Sequence, residues 1–189
     1  VNIALIVKFM ANYFFNPAEY PEISKRDDAM DDRFLFNQGP ARGLGSIRFH
    51  DYKLAFEQHD LPSVNVFKEQ VGTFREFLAT ATPDETQRKD IDFLLAPGEI
   101  FTLVVYAQLI LENCRIYDID DDVVDQIFDF MVRDLSGFAL QLHSKPSSTP
   151  QQMDYCMRML RKPVVDKGRY QRVWDKHVFA LKGAYEMSE

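Results

Sequence analysis

Ile100-Phe101-Thr102-Leu103-Val104-Val105-Tyr106-Ala107-Gln108-Leu109-Ile110-Leu111 is the stretch on which the fold turns. Phe101, Leu103, Val104, Val105, Tyr106, Leu109 and Ile110 place apolar side chains on nearly every side of a helix, leaving it no solvated face. At about a dozen residues it falls short of the roughly 20 that a bilayer requires, so it reads as a central buried helix. Such a helix needs other helices around it.

The flanking sequence supplies them. Downstream, Asp120, Asp121 and Asp122 stand at a helix start, where the backbone dipole favours negative charge. Val124, Ile127, Phe128, Met131, Leu135, Phe138 and Leu142 then recur at helical spacing. Ser148-Thr149-Pro150-Gln151-Gln152 is a second start signal, and Pro163 closes that helix after Leu160. A last helix from about Gly168 to Glu186 carries Tyr170, Val173, Trp174, Val178, Leu181 and Tyr185 on one stripe. Upstream, Ser63 is placed to cap a helix bearing Val64, Phe67, Val71, Phe74, Phe77 and Leu78. Thr82-Pro83-Asp84-Glu85 has the form of a capping box and predicts a helix that Pro97-Gly98 breaks or kinks. No segment alternates with a two-residue period, so the fold class is all-α. The expectation is a bundle of five or six antiparallel helices over 61–189, with residues 1–60 forming an amino-terminal helix and an irregular arm.

In that arm, Ile3, Ile6, Val7, Met10, Tyr13 and Phe14 have helical spacing until Asn16-Pro17. Residues 17–50 read as irregular, and a short helix is expected between His50 and His59 with Tyr52, Leu54, Ala55 and Phe56 on its apolar side. The chain opens on Val1 inside an apolar segment without an initiator methionine, which suggests a piece of a longer polypeptide. Ile3, Ile6, Met10 and Phe14 would then face a preceding domain or another copy of the chain.

Composition narrows the functional classes. The 189 residues are 46% hydrophobic and 27% charged, which suits one well-packed domain and excludes a disordered or fibrous chain. Twenty-two Lys and Arg against 29 Asp and Glu give a net charge of −7. A field of that sign opposes phosphate backbones, so no nucleic-acid partner is expected. Cys114 and Cys156 make no metal-type pair, and so few thiols suit a reducing cytoplasm. No membrane span is expected.

Motifs for chemistry are sparse. Asp118-Ile119-Asp120-Asp121-Asp122 begins like a calcium loop, but its sixth and twelfth positions hold Val123 and Asp129 instead of glycine and glutamate. Gly39-Pro40-Ala41-Arg42-Gly43-Leu44-Gly45 offers backbone amides for an anion, with Arg42 and Arg48 as cations beside it. It matches neither the P-loop nor the dinucleotide fingerprint, and it reads first as a tight turn. His50, His59, His143 and His177 form no zinc-type pair, so no metal site is expected. Both cysteines read as core residues.

Three stretches together resemble a known group: Asp27–Gly45 leading into Ile47-Arg48-Phe49-His50-Asp51, then Phe101–Glu112, then Val123–Phe128. They resemble the carboxy-terminal helical region of bacterial acyl-CoA dehydrogenase-like flavoproteins. The resemblance implies a parent oxidoreductase in which a glutamate base removes the α-proton of an acyl-CoA while a hydride passes to FAD. The base of that family stands in a Glu-Gly-Thr motif that this chain lacks, so no catalytic residue carries over. Arg42 and Arg48 are then candidates for touching the anionic cofactor or a neighbouring domain. The remaining domains of the parent polypeptide, its acyl-CoA substrate and a second copy in a homo-oligomer would be the partners, with FAD bound by the parent.

Two other functional classes compete with this expectation. One is a free-standing helical interaction or ligand-binding module, with an apolar pocket near Tyr106 and Trp174. The other is a hydrolase using His50 or His143, against which the missing nucleophile motif weighs heavily.

Overall fold

The computed structural model describes residues 7–19 and 47–184, and among them the fold is all-α, with no strand. Seven α-helices follow in order: α1 (Met10–Phe15), α2 (Lys53–Glu57), α3 (Pro62–Thr80), α4 (Ile91–Ile116), α5 (Asp121–His143), α6 (Pro150–Met159) and α7 (Lys167–Val173). The region 61–189 thus contributes five of them, α3 to α7.

The hub of the bundle is α5, which packs against α3, α4, α6 and α7. Its stripe of Val124, Phe128, Met131, Val132, Leu135, Ala139 and Leu142 is buried, as its spacing predicts. The helix around 100–111 is therefore not the centre. It belongs to α4, which runs 26 residues and buries Phe93, Ile100, Phe101, Val104 and Leu111 on one side. On its other side Tyr106 is 59% exposed and Leu109 49%. By length and composition alone α4 would also serve to cross a membrane, and half of its most apolar window lies inside the chain.

Pro97 sits inside α4 without ending it. A proline there removes one backbone hydrogen bond and crowds the preceding turn, at a cost of about 3 kcal/mol. Phe93, Ala96, Ile100 and Phe101 bury their side chains on both sides of it, which offsets that cost.

Capping explains where the helix starts differ from the sequence reading. Thr82-Pro83 opens no α-helix. Instead Asp84 accepts hydrogen bonds from the backbone N–H of Thr86 and Gln87, both at 2.8 Å, and closes a single 3₁₀ turn over Gln87–Lys89. Asp90 is the N-cap of α4, accepting from Asp92 N and Phe93 N. Ser63 is not a cap either, because α3 begins one residue earlier, at Pro62. The Ser63 N–H is met by a side chain from another helix, Asp125 Oδ1 at 2.6 Å. Thr149 and Gln152 do form the capping box of α6.

The amino-terminal pieces are part of the core. Met10, Tyr13 and Phe14 of α1 and Tyr52, Ala55 and Phe56 at α2 share one hydrophobic cluster with α3 to α6. Leu54, expected on that side, is exposed. Met10 and Phe14 thus pack inside this chain, not against another domain or copy as expected, because Phe74, Phe101 and Tyr52 cover Phe14 from three sides. Ile3 and Ile6 lie outside the described residues. An isolated bridge, with Ala18 N donating to Phe49 O at 2.7 Å, brings 47–50 beside the end of α1.

The last helix departs most from expectation. α7 gives way at Trp174 to a π turn (Trp174–Val178) and a 3₁₀ turn (Phe179–Leu181). Its apolar stripe faces outward: Tyr170, Trp174, Val178 and Leu181 are all exposed, while Tyr185 lies outside the described residues. Charge holds the segment instead. Arg169, only 3% exposed, donates from Nη1 to Asp125 and from Nη2 to Asp129 at 3.1 Å. Arg172 forks onto Asp122, and Lys176 reaches Asp120.

Two outcomes follow from this attachment. Arg169→Met leaves Asp125 buried without its counter-charge, and chemical denaturation should show a loss of about 3–5 kcal/mol. Arg172→Met removes the solvent-screened pairs with Asp122 and Asp166 and should shift the denaturation midpoint far less than Arg169→Met does. Separately, the Lys176 hydrogen bond holds the Asp120 carboxyl below its usual range, and the Arg172 fork does the same for Asp122. Their stabilisation is complete above the ordinary carboxylate pKa and is lost as pH falls below about 4. Trp174 is the only tryptophan, so its fluorescence should change on acidification before the far-UV circular dichroism does. Simultaneous change in both signals would place the carboxy-terminal segment in the same cooperative unit as the bundle.

Candidate functional site

A buried polar network forms where α1, the 47–52 segment and α4 meet. Gln108 and Glu112 stand four residues apart on α4, hence on one face of the helix. That face is turned to the interior: Glu112 is buried, as are Gln108 and Tyr13. The Tyr13 hydroxyl donates to Gln108 Oε1 at 2.6 Å, and the Gln108 amide donates to Glu112 Oε1 at 2.8 Å. His50 Nε2 lies 2.6 Å from the same Glu112 oxygen and 2.7 Å from the Gln108 amide nitrogen. Burial pushes the Tyr13 hydroxyl well above the usual phenol range, reinforced by the negative charge of Glu112. It is held as a donor, not as a base.

An apolar cleft of about 330 Å³ opens beside this network, lined by Phe9, Phe49, Phe101, Thr102, Val105, Tyr106 and Leu109. It exists because α4 turns Val105, Tyr106 and Leu109 away from α5, and α1 covers only part of that side. Phe9 and Phe49 meet edge to face at 5.8 Å, and Tyr13 packs its ring between Phe49 and Phe101. Of the two hydroxyls in the lining, on Thr102 and Tyr106, that of Thr102 donates back to Gly98 O at 2.8 Å. The cleft therefore presents carbon surface and ring faces.

His50 and Glu112 have the composition of a general-base dyad. The nearby Tyr13 and Thr102 hydroxyls are both committed as donors. The arrangement orients an imidazole and anchors α4 to the 47–52 segment. His143, the other histidine considered for hydrolysis, closes α5.

The remaining sequence candidates fall elsewhere. Arg48 is exposed, donates to the neighbouring Ile47 O at 3.2 Å, and stands next to Phe49 at the edge of the cleft. Arg42 and the whole Gly39–Gly45 stretch lie outside the described residues. Trp174 does not line the cleft with Tyr106. It stacks on Tyr170 in the carboxy-terminal segment. The acidic turn at Asp118–Asp122 spends Asp120 and Asp122 on Lys176 and Arg172, and among the described residues no group of three or more His, Cys, Asp or Glu gathers as a metal would require. Cys114 and Cys156 are buried free thiols, both raised by burial, Cys156 to about 12.

The lining of this cleft does not suit a flavin. An isoalloxazine ring needs polar partners along one edge, and its pyrophosphate needs cations or free backbone amides. The cleft lining offers no cation and only two hydroxyls, on Thr102 and Tyr106. The Tyr13, Gln108, Glu112 and His50 network was missed by sequence reading, although the polar pair at 108 and 112 inside an apolar helix is its visible trace.

Known protein families, curated proteins and solved structures yield no match to this chain. The resemblance to acyl-CoA dehydrogenases gains no support from them.

Tyr13→Phe removes one hydroxyl and leaves Gln108 Oε1 buried without its donor. A loss of about 1–3 kcal/mol is expected in denaturant unfolding, with the far-UV spectrum unchanged.

Proposed function

We propose that this chain is a helical ligand-binding module whose cleft takes a small apolar molecule with an acyl chain or aromatic body. The observation that carries the reading is the open, ring-lined cleft on α4, where Tyr106 and Leu109 stay exposed although the helix that bears them is, among the described residues, the one apolar and long enough to cross a membrane. Its volume lies near the lower end of small-molecule sites, and a few convergent polar groups beside a carbon-lined wall are the usual composition of such a site. The Thr102 and Tyr106 hydroxyls would then be the polar groups of the site, and the apolar wall would supply the affinity. Burial of a chain of several methylenes contributes about 0.8 kcal/mol each.

The oxidoreductase reading, with FAD and an acyl-CoA substrate in a parent enzyme, is not the function proposed. An acyl chain remains an occupant of the right shape.

The test uses a neutral probe, methyl decanoate, titrated into the full chain while backbone amide shifts are followed by NMR. Saturable shifts at Thr102, Val105, Tyr106 and Leu109 are expected. Leu109→Asp puts a charge at the cleft mouth, on a half-exposed position that the fold tolerates, and should weaken binding at least about tenfold. Absence of saturation in the wild-type chain, or binding unchanged in Leu109→Asp, would sink the reading.

A further inference from the structure

On the opposite side of the Tyr13–Tyr52 stack, α2 and α3 enclose a second cleft, of about 290 Å³, lined by Tyr52, Lys53, Phe56, Glu57, Lys68, Val71, Gly72, Arg75 and Glu76. Its chemistry is the reverse of the first. The buried floor is Tyr52, Phe56 and Val71, and the rim carries three cations, Lys53, Lys68 and Arg75. Of the two rim carboxylates, Glu76 is already paired with Arg158 at 2.8 Å. A chain with a net charge of −7 thus concentrates positive charge at one concave spot.

None of the three cations forms an ion pair among the described residues. Lys68 donates to Asn65 Oδ1 at 3.3 Å; Arg75 lies over the Phe15 ring and donates to Phe14 O at 3.4 Å. The guanidinium is close enough to Tyr52 to pull its hydroxyl back down against burial, which on balance leaves it raised to about 12. The phenol is thus a neutral donor at the cleft floor.

Gly72 adds an independent observation. It lies in the middle of the 19-residue helix α3, where glycine costs about 0.5–1 kcal/mol relative to alanine. A Cβ built there meets nothing within 4 Å, so no neighbouring atom demands the glycine. What its missing side chain leaves is open space in the cleft wall.

We infer that the cleft between α2 and α3 is a binding site for a small organic anion, a carboxylate or phosphate on an aromatic or short aliphatic body. The body lies on Phe56 and Val71 in the space beside Gly72. The anionic head meets the Arg75 fork and the Lys68 and Lys53 ammonium groups, with the Tyr52 hydroxyl as a further donor.

The experiment titrates the full chain with phenylacetate, phenyl phosphate and neutral benzyl alcohol, reading the Gly72 and Lys68 amide shifts by NMR. At least one anion should produce saturable shifts at both amides, with benzyl alcohol binding at least about tenfold more weakly. Lys68→Glu should weaken anion binding about tenfold or more. Gly72→Leu should abolish it by filling the space while melting no lower than the wild-type chain. Gly72→Ala serves as a fold control and should melt slightly higher. No shift with either anion, equal binding of benzyl alcohol, or wild-type affinity in a folded Gly72→Leu would overturn the inference. The carboxylate and phosphate arms separate the two head groups.

Discussion

The Asp125 carboxylate is the constraint on which the bundle's geometry depends. One of its oxygens accepts the Ser63 N–H at the start of α3, and the other accepts from Arg169 of α7, while Asp125 itself rides on α5. A charge in an interior of phenylalanines is tolerated when it is paired and hydrogen-bonded. That requirement fixes the start of α3 and the seat of α7 relative to the hub helix. Hydrophobic packing alone would allow α3 and α7 to slide along α5, since an apolar stripe has many registers of similar energy.

The same logic recurs at other junctions. Gln70 of α3 donates to Val132 O of α5 and to Met159 O at the end of α6, tying three helices through one amide. Gln87 and Gln152 exchange a pair of hydrogen bonds between their side-chain amides, at 2.8 and 2.9 Å, and also satisfy Ser147 O and Ala81 O. At the far side, the Tyr13 to Glu112 chain joins α1 to α4. Each junction is a buried polar group meeting a backbone or side-chain partner from another helix. Together they specify which helices meet, and the aromatic core supplies the bulk of the stabilisation.

The two clefts arise from what this scheme leaves uncovered. α4 is more apolar than its neighbours can enclose, so one side stays open as carbon surface beside Phe9 and Phe49. α2 is only five residues long, too short to cover the length of α3, and the uncovered part carries Lys68, Gly72 and Arg75. The carboxy-terminal segment shows a third way of being uncovered. Its cations are drawn to the acidic start of α5, and that orientation turns Tyr170, Trp174 and Leu181 to the outside.

Helix existence was legible in the sequence because the apolar period of α3 and α5 is local information, and so was the Thr149–Gln152 cap. The position of helix starts was less so. Thr82-Pro83 has the local form of a cap, yet Asp84 and Asp90 take over that role because the Gln87–Gln152 pair holds the intervening turn against α6. The stripe of α7 misled for a related reason: periodicity reveals an amphipathic helix but not which side is bound, and charge pairing with Asp120, Asp122 and Asp125 decided that. Pro97, too, reads as a break until Phe93 and Ile100 are seen buried on both sides of it. The sequence by itself determined an acidic, all-α chain and most of its core residues, because both follow from composition and spacing. The tertiary structure alone decided which helix is the hub, which polar residues meet, and where concave surface remains, because those depend on contacts between residues 40 to 100 positions apart.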